Sequence, residues 1–170
     1  QQGLEWLKNK LSESAGLKVN ESDIESIFDE QGGAPFTVFE SILARHNKDD
    51  KDELSISIQA SRYLLQSLSQ GARINWLDAA DKISKAQYPF LLATMQRWIS
   101  DLQSVAQGGC PRYYPKHLST LQGLSNGINL LRLMNFWKTV IQARRHENHP
   151  LANRVQLESL LSQYQLIFRN

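Results

Sequence analysis

The stretch YPFLLATMQRWISDLQSVAQGGCPRYYPKH, residues 88–117, decides how the chain reads. Pro89 suits the start of a helix, where a missing N–H costs nothing. Behind it Leu91, Met95, Trp98, Ile99, Leu102 and Val105 recur three and four apart, the spacing of one buried helical face. QGGCPRYYPKH, residues 107–117, is too dense in Gly and Pro for helix or strand and predicts a loop.

Working outward, the same pattern repeats: apolar residues at helical spacing, with turn signals between the segments and not inside them. Leu4, Leu7 and Leu11 make a short first stripe that Gly16 ends. Ser22 and Glu25 form a capping box before Ile24, Ile27 and Phe28. GGAP, residues 32–35, breaks the chain, and Pro35 then opens a helix carrying Phe39, Ile42 and Leu43. LSISIQ, residues 54–59, alternates like a strand, yet it runs into Tyr63, Leu64, Leu65 and Leu68 without a turn, so one helix to about Ser69 is expected. Asn75 can cap a helix with Trp76, Ala80 and Ile83.

C-terminal to the quoted stretch, Leu118, Leu121 and Leu124 predict a short helix. Gly127 opens the most apolar one, in which Ile128, Leu130, Leu131, Leu133, Met134, Phe136, Trp137, Val140 and Ile141 cover more than one face. Such a helix is expected to be surrounded. Asn153 is a candidate cap for a last helix with Leu157, Leu160, Leu161, Tyr164 and Phe168 on one side. The fold class expected is all-α. The six consecutive charges from Lys48 to Glu53 mark a boundary between a three-helix module, residues 1–47, and a helical domain of five to six helices, residues 48–170.

With 19 Lys and Arg against 17 Asp and Glu, no strong field recruits nucleic acid or acidic membrane at long range. Cys110 is the only cysteine, which excludes an internal disulfide and a cysteine-based structural zinc site and fits a reducing compartment. QQGLEWLKNKL has neither a basic-then-apolar leader nor an apolar run long enough to span a bilayer, so a cytoplasmic fragment with its natural start upstream is expected.

Chemistry is sparse. HENH, residues 146–149, sets two histidines three apart where a metalloprotease helix needs four, and Pro150 follows at once. No glycine-rich loop ends in Lys-Ser or Lys-Thr. Cys110 beside Arg112 is a candidate reactive thiol, but no histidine is placed to activate it. PRYYPKH offers Arg112, Lys116 and His117 with Tyr113 and Tyr114, a combination that binds single strands; the plainer reading is that the tyrosines anchor a long loop. Catalytic, cofactor and metal residues are therefore expected to be absent.

MQRWISDLQSVAQGG, PRYYPKH and QARRHENHPLANRVQLESLLSQY resemble the C-terminal part of the delta prime subunits of the bacterial DNA polymerase III clamp loader. LEWLKNKL and EQGGAPFTVFES resemble the small lid of the same proteins, and together the matches span nearly the whole chain. The resemblance implies an AAA+ lid followed by a collar domain that joins the gamma/tau and delta subunits in a ring. It implies a noncatalytic accessory subunit of the polymerase holoenzyme that reaches the sliding clamp and primed DNA through the assembly. In ATP-binding relatives the helix after the glycine turn carries an arginine for the nucleotide phosphates; aligned on Gly33-Ala34-Pro35, that position is Phe36, which can neither neutralise nor donate to a phosphate. The delta subunit's collar, or a helical single-strand-binding module using Arg112 to His117, are the alternatives.

Overall fold

A computed structural model describes residues 2–15, 24, 28, 38, 51–145 and 153–168. Among them are seven α-helices and no strand, as an all-α fold requires. The helices are α1 (Gln2–Ala15), α2 (Lys51–Leu68), α3 (Trp76–Ile83), α4 (Tyr88–Ala106), α5 (Leu118–Ser125), α6 (Leu130–Arg145) and α7 (Asn153–Leu166). Ile24, Phe28 and Val38 are helical, and Ile24 and Val38 are buried. The Ser22–Glu25 box, the GGAP break with Phe36, the charges at 48–50 and HENH lie outside the described residues.

The centre is α4, which packs against α2, α5 and α6, while α7 packs against α3 and α6. All six residues of the expected α4 stripe, Leu91, Met95, Trp98, Ile99, Leu102 and Val105, are buried, and Leu92 joins them. The strand-like alternation of LSISIQ dissolves once it is wound at 3.6 residues per turn. Ile58 falls in phase with Leu65 and Leu68 in the core, and Ile56 turns outward. Ser57, Ser61 and Thr94 are buried with the apolar residues. Their small size lets α2 and α4 approach, and their hydroxyls are used: Ser61 Oγ and Thr94 Oγ1 are 3.0 Å apart, and Ser57 Oγ accepts from the Gln87 N–H at the head of α4. That head lies one residue before Pro89, at Tyr88.

Two buried polar devices lock this packing. The first runs across three helices: the Trp98 Nε1–H donates to the Tyr164 hydroxyl at 3.0 Å, and that hydroxyl donates to the Leu68 carbonyl at 2.8 Å. Tyr164 also meets Phe136 and Phe168 ring to ring, with centroids 5.9 Å and 5.2 Å away. Burial drives its phenol pKa well above the ordinary value, so the hydroxyl keeps the proton that the relay uses.

The second device holds the loop after α4. That helix closes in a Schellman motif: Gly108 takes φ +83°, its N–H donates to the Val105 carbonyl, and the Gly109 N–H donates to the Ser104 carbonyl at 2.9 Å. A Cβ on Gly109 would sit 2.6 Å from Ser104 Oγ and 3.1 Å from the Ser104 carbonyl oxygen, so the serine side chain would have to move to admit it. The chain then folds back on Asp101, only 1% exposed, whose carboxylate accepts from the Arg112, Tyr113 and Tyr114 N–H groups at 2.6–3.1 Å. Three consecutive backbone donors of the loop thus satisfy one buried anion, and the anion satisfies them in turn.

The periphery is tied by longer side chains. Tyr63 on α2 donates to Asp78 on α3 at 2.7 Å, and Lys82 bonds both groups at 3.0 Å. These contacts hold the Asp78 carboxyl below and the Lys82 ammonium above their usual values. Arg154 joins α7 to α3 through Asp81 at 2.9 Å. Gly71, at φ +56°, turns the α2–α3 connection under Leu124, where a Cβ would come within 2.5 Å of a methyl carbon. The Gln165 amide pins that connection to α7 through the Ala72 and Ile74 carbonyls.

Several helix starts differ from the expected ones. The most apolar helix begins at Leu130, not Gly127, because Asn129 supplies the cap: its side chain accepts from the Arg132 N–H at 3.1 Å. Asn75 caps α3 as expected, accepting from Asp78. Asn153 is already the first residue of α7 and does not precede it.

Removing the hydroxyl with Tyr164→Phe strands a buried indole N–H and a buried carbonyl. The expected cost is about 1–3 kcal/mol with the fold retained, read from urea unfolding monitored by circular dichroism.

Candidate interaction surface

Helix α6 carries apolar residues in two phases. Leu133, Phe136 and Val140 point into the core. Leu130, Leu131, Met134, Trp137 and Ile141, which fall one, four, seven and eleven positions along from Leu130, form the other phase. The first part of this outer face is bare. Leu131 is 68% exposed, Met134 44% and Leu130 40%, while Trp137 and Ile141 are half-buried. The expectation of a surrounded helix is therefore corrected: α4 and α7 pack on one side of α6, and Leu130, Leu131 and Met134 on the other side stay exposed. The apolar count was right, but it could not say that one of the two faces stays bare.

A groove runs beside this face between α6 and α7. One hollow of about 480 Å³ is bounded by Arg132, Asn135 and Leu166, and a second of about 360 Å³ by Gln142, Val155 and Ser159. They share Thr139 and Gln163, so they form one trough whose described lining is rich in amides, with Arg132 as its charged residue. Its ends carry exposed apolar side chains, Leu166 and Val155. Arg132 bridges the trough at one end by donating to the Leu166 carbonyl at 3.1 Å.

The basic-aromatic turn is built differently from a stacking platform. Tyr114 is buried against Trp98, with centroids 6.2 Å apart, and its phenol pKa is pushed up to about 12 by burial. His117 sets its ring edge-on to Trp98 at 5.5 Å. Tyr113 is half-buried under the Arg112 guanidinium, 5.7 Å from its ring. The tyrosines thus anchor the loop, the plainer of the two readings. Cys110 is exposed at the loop's tip, and its carbonyl accepts from Ser104 Oγ.

Among the described residues no group of three His, Cys, Asp or Glu side chains converges as metal ligands would. No helix among them is long and apolar enough to cross a membrane. Compared with protein-family models, with curated proteins and with solved structures, the chain matches none.

Two measurements follow from this geometry. Leu131→Asp and Met134→Asp, on the bare phase, are expected to change unfolding free energy by no more than about 0.5 kcal/mol, whereas Leu133→Ala, one position away but in the core, costs about 2–5 kcal/mol. Burial lowers the His117 pKa from 6.5, so the folded state prefers the neutral ring. Below pH 6.5 the unfolded chain takes up the proton more readily, and stability falls with pH until the folded-state midpoint is passed. An NMR titration is expected to place that midpoint below 6.5, and His117→Gln is expected to remove this part of the acid sensitivity.

Proposed function

We propose that the chain works by contact, as the lid and collar of a clamp-loader delta prime subunit. In this reading it is a noncatalytic cytoplasmic protein that helps to hold gamma/tau and delta subunits in the ring that loads the sliding clamp onto primed DNA. The observation that carries the proposal is the bare outer face of α6, where Leu130, Leu131 and Met134 stand exposed together on an otherwise well-packed helical bundle. An apolar patch of this kind on a helical domain suits burial against another protein.

The two buried devices suit the same role. A subunit that fixes ring geometry must not deform when its neighbours move, and Trp98, Tyr164 and Asp101 tie α2, α4, α7 and the loop at 107–117 into one unit. Phe36 in place of an arginine goes with a lid that packs without sensing ATP.

The decisive experiment is assembly. The chain is expected to co-purify with gamma/tau and delta in a reconstituted clamp loader, and the double variant L131D/M134D is expected to lose at least about tenfold in incorporation while remaining folded. Failure of the unmodified chain to enter the ring would refute the proposal. Titration with ATP in a calorimeter is expected to give no binding heat.

A further inference from the structure

The outer phase of α6 repeats every seven residues. Leu131, Lys138 and Arg145 stand seven apart, Met134 and Ile141 follow the first two by three, and Leu130 and Trp137 precede them by one. At 3.6 residues per turn these residues share one stripe, with the a and d spacing through which one helix packs along another. Leu130, Leu131, Met134, Lys138 and Arg145 are exposed, and Trp137 and Ile141 are half-buried. The stripe therefore has two zones. Its amino-terminal half presents leucines and a methionine, and in its carboxy-terminal half the residues in line with Leu131 are cations.

Helix α6 carries Arg132, Lys138, Arg144 and Arg145 and no Asp or Glu. Two of these cations reach to the flanks: Arg132 donates to the Leu166 carbonyl on α7, and Arg144 donates to the Gln96 side chain on α4. Lys138 and Arg145 lie between the flanks, on the stripe itself. The helix dipole accounts for a cation in the last turn, which covers Arg145, but Lys138 stands two turns earlier and beyond its reach. Asn135 and Gln142, again seven apart, edge the stripe on the α7 side and line the two hollows of the trough.

We propose that this stripe receives one amphipathic helix of a partner protein, antiparallel to α6, with apolar residues against Leu131 and Met134 and Asp or Glu against Lys138 and Arg145. The inference rests on the reading of the bare face as a contact surface and adds the chemistry of what it contacts. In the antiparallel arrangement the acids fall in the amino-terminal half of the partner helix, where its own dipole favours them. A lysine among a and d positions costs stability unless it is met, and in return it sets register, so an acid opposite Lys138 would fix where the partner helix stops. At 1.5 Å per residue α6 is about 24 Å long, and a partner helix of about four turns spans it. The same stripe of a second copy is a poor occupant, because symmetrical pairing presents α6 to itself and α6 has no acid to meet either cation. A lipid surface fits less well too, since a helix lying in a membrane interface keeps its cations on the polar face, whereas Lys138 is in line with Leu131.

The probe is an end-labelled, helix-stapled peptide of about 16 residues, with glutamate at the a and d positions of its amino-terminal half and leucine at those of its carboxy-terminal half. It is added to the whole chain and followed by anisotropy, beside a matched peptide with lysine in place of glutamate. The acidic peptide is expected to bind at least about tenfold more tightly than the basic one, K138E/R145E is expected to reverse that preference, and L131D/M134D is expected to weaken the acidic peptide at least about tenfold. R73E/K85E, the same change of charge at exposed positions off α6, is expected to keep the preference, and circular dichroism checks that each variant is folded. Failure of the acidic peptide to bind overturns the proposal, as does equal binding of the two peptides. Loss of preference in R73E/K85E as large as in K138E/R145E overturns it because the attraction would then be diffuse. Sedimentation showing a dimer that L131D/M134D dissociates gives the face to a second copy, and phosphatidylglycerol vesicles that displace the acidic peptide give it to a membrane; either result overturns the proposal. The peptide assay contains no clamp-loader subunit, so its failure is separate from failure of the chain to enter the ring.

Discussion

The structure hangs on a single hydroxyl. Tyr164 Oη accepts from the Trp98 indole and donates to the Leu68 carbonyl, in a place where no water is available to either partner. Because an unpaired buried polar group costs far more than its bond contributes in water, this relay admits one relative placement of α2, α4 and α7 and penalises the others. The Phe136 and Phe168 rings around Tyr164 bring in α6 and the chain end beyond α7. Hydrophobic burial supplies most of the driving force for collapse, but burial alone is tolerant of sliding. The relay removes that tolerance.

A second constraint of the same kind shapes the loop at 107–117. A carboxylate in the core is destabilising unless its lone pairs are filled, and Asp101 fills its own with three successive backbone N–H groups. The loop therefore has one permitted path, which delivers Tyr114 and His117 to Trp98 and leaves Tyr113 as a wall of a small cavity. Core, loop and cavity are thus consequences of two side chains on one helix, Trp98 and Asp101, three residues apart. Rigidity is what the proposed assembly role asks for: a ring element must hold its angle.

Against this rigid background the bare face of α6 stands out because it breaks the usual division of a helix into core and solvent sides. Its exposed leucines and methionine gain nothing from the fold itself. Exposed apolar surface of this kind suits burial against another surface, which is what the proposed assembly role would provide.

Periodicity alone determined that this chain is helical, and where most helices run. The α4 stripe, the Leu157 to Tyr164 stripe and the helix hidden in LSISIQ were all legible, because spacing of three and four reports a buried face whatever the face packs against. Asp101 was legible too in hindsight, as a carboxylate in phase between Trp98 and Val105, but a stripe search counts apolar residues and passes over it. The GGAP turn with Phe36 falls outside the described residues. What only the tertiary structure decided is occupancy. Sequence shows that α6 has two apolar faces; it does not show which one a neighbour covers, nor that Arg97, Tyr113 and Arg144, far apart along the chain, share a cavity. Those facts depend on distances between elements, which local spacing does not encode.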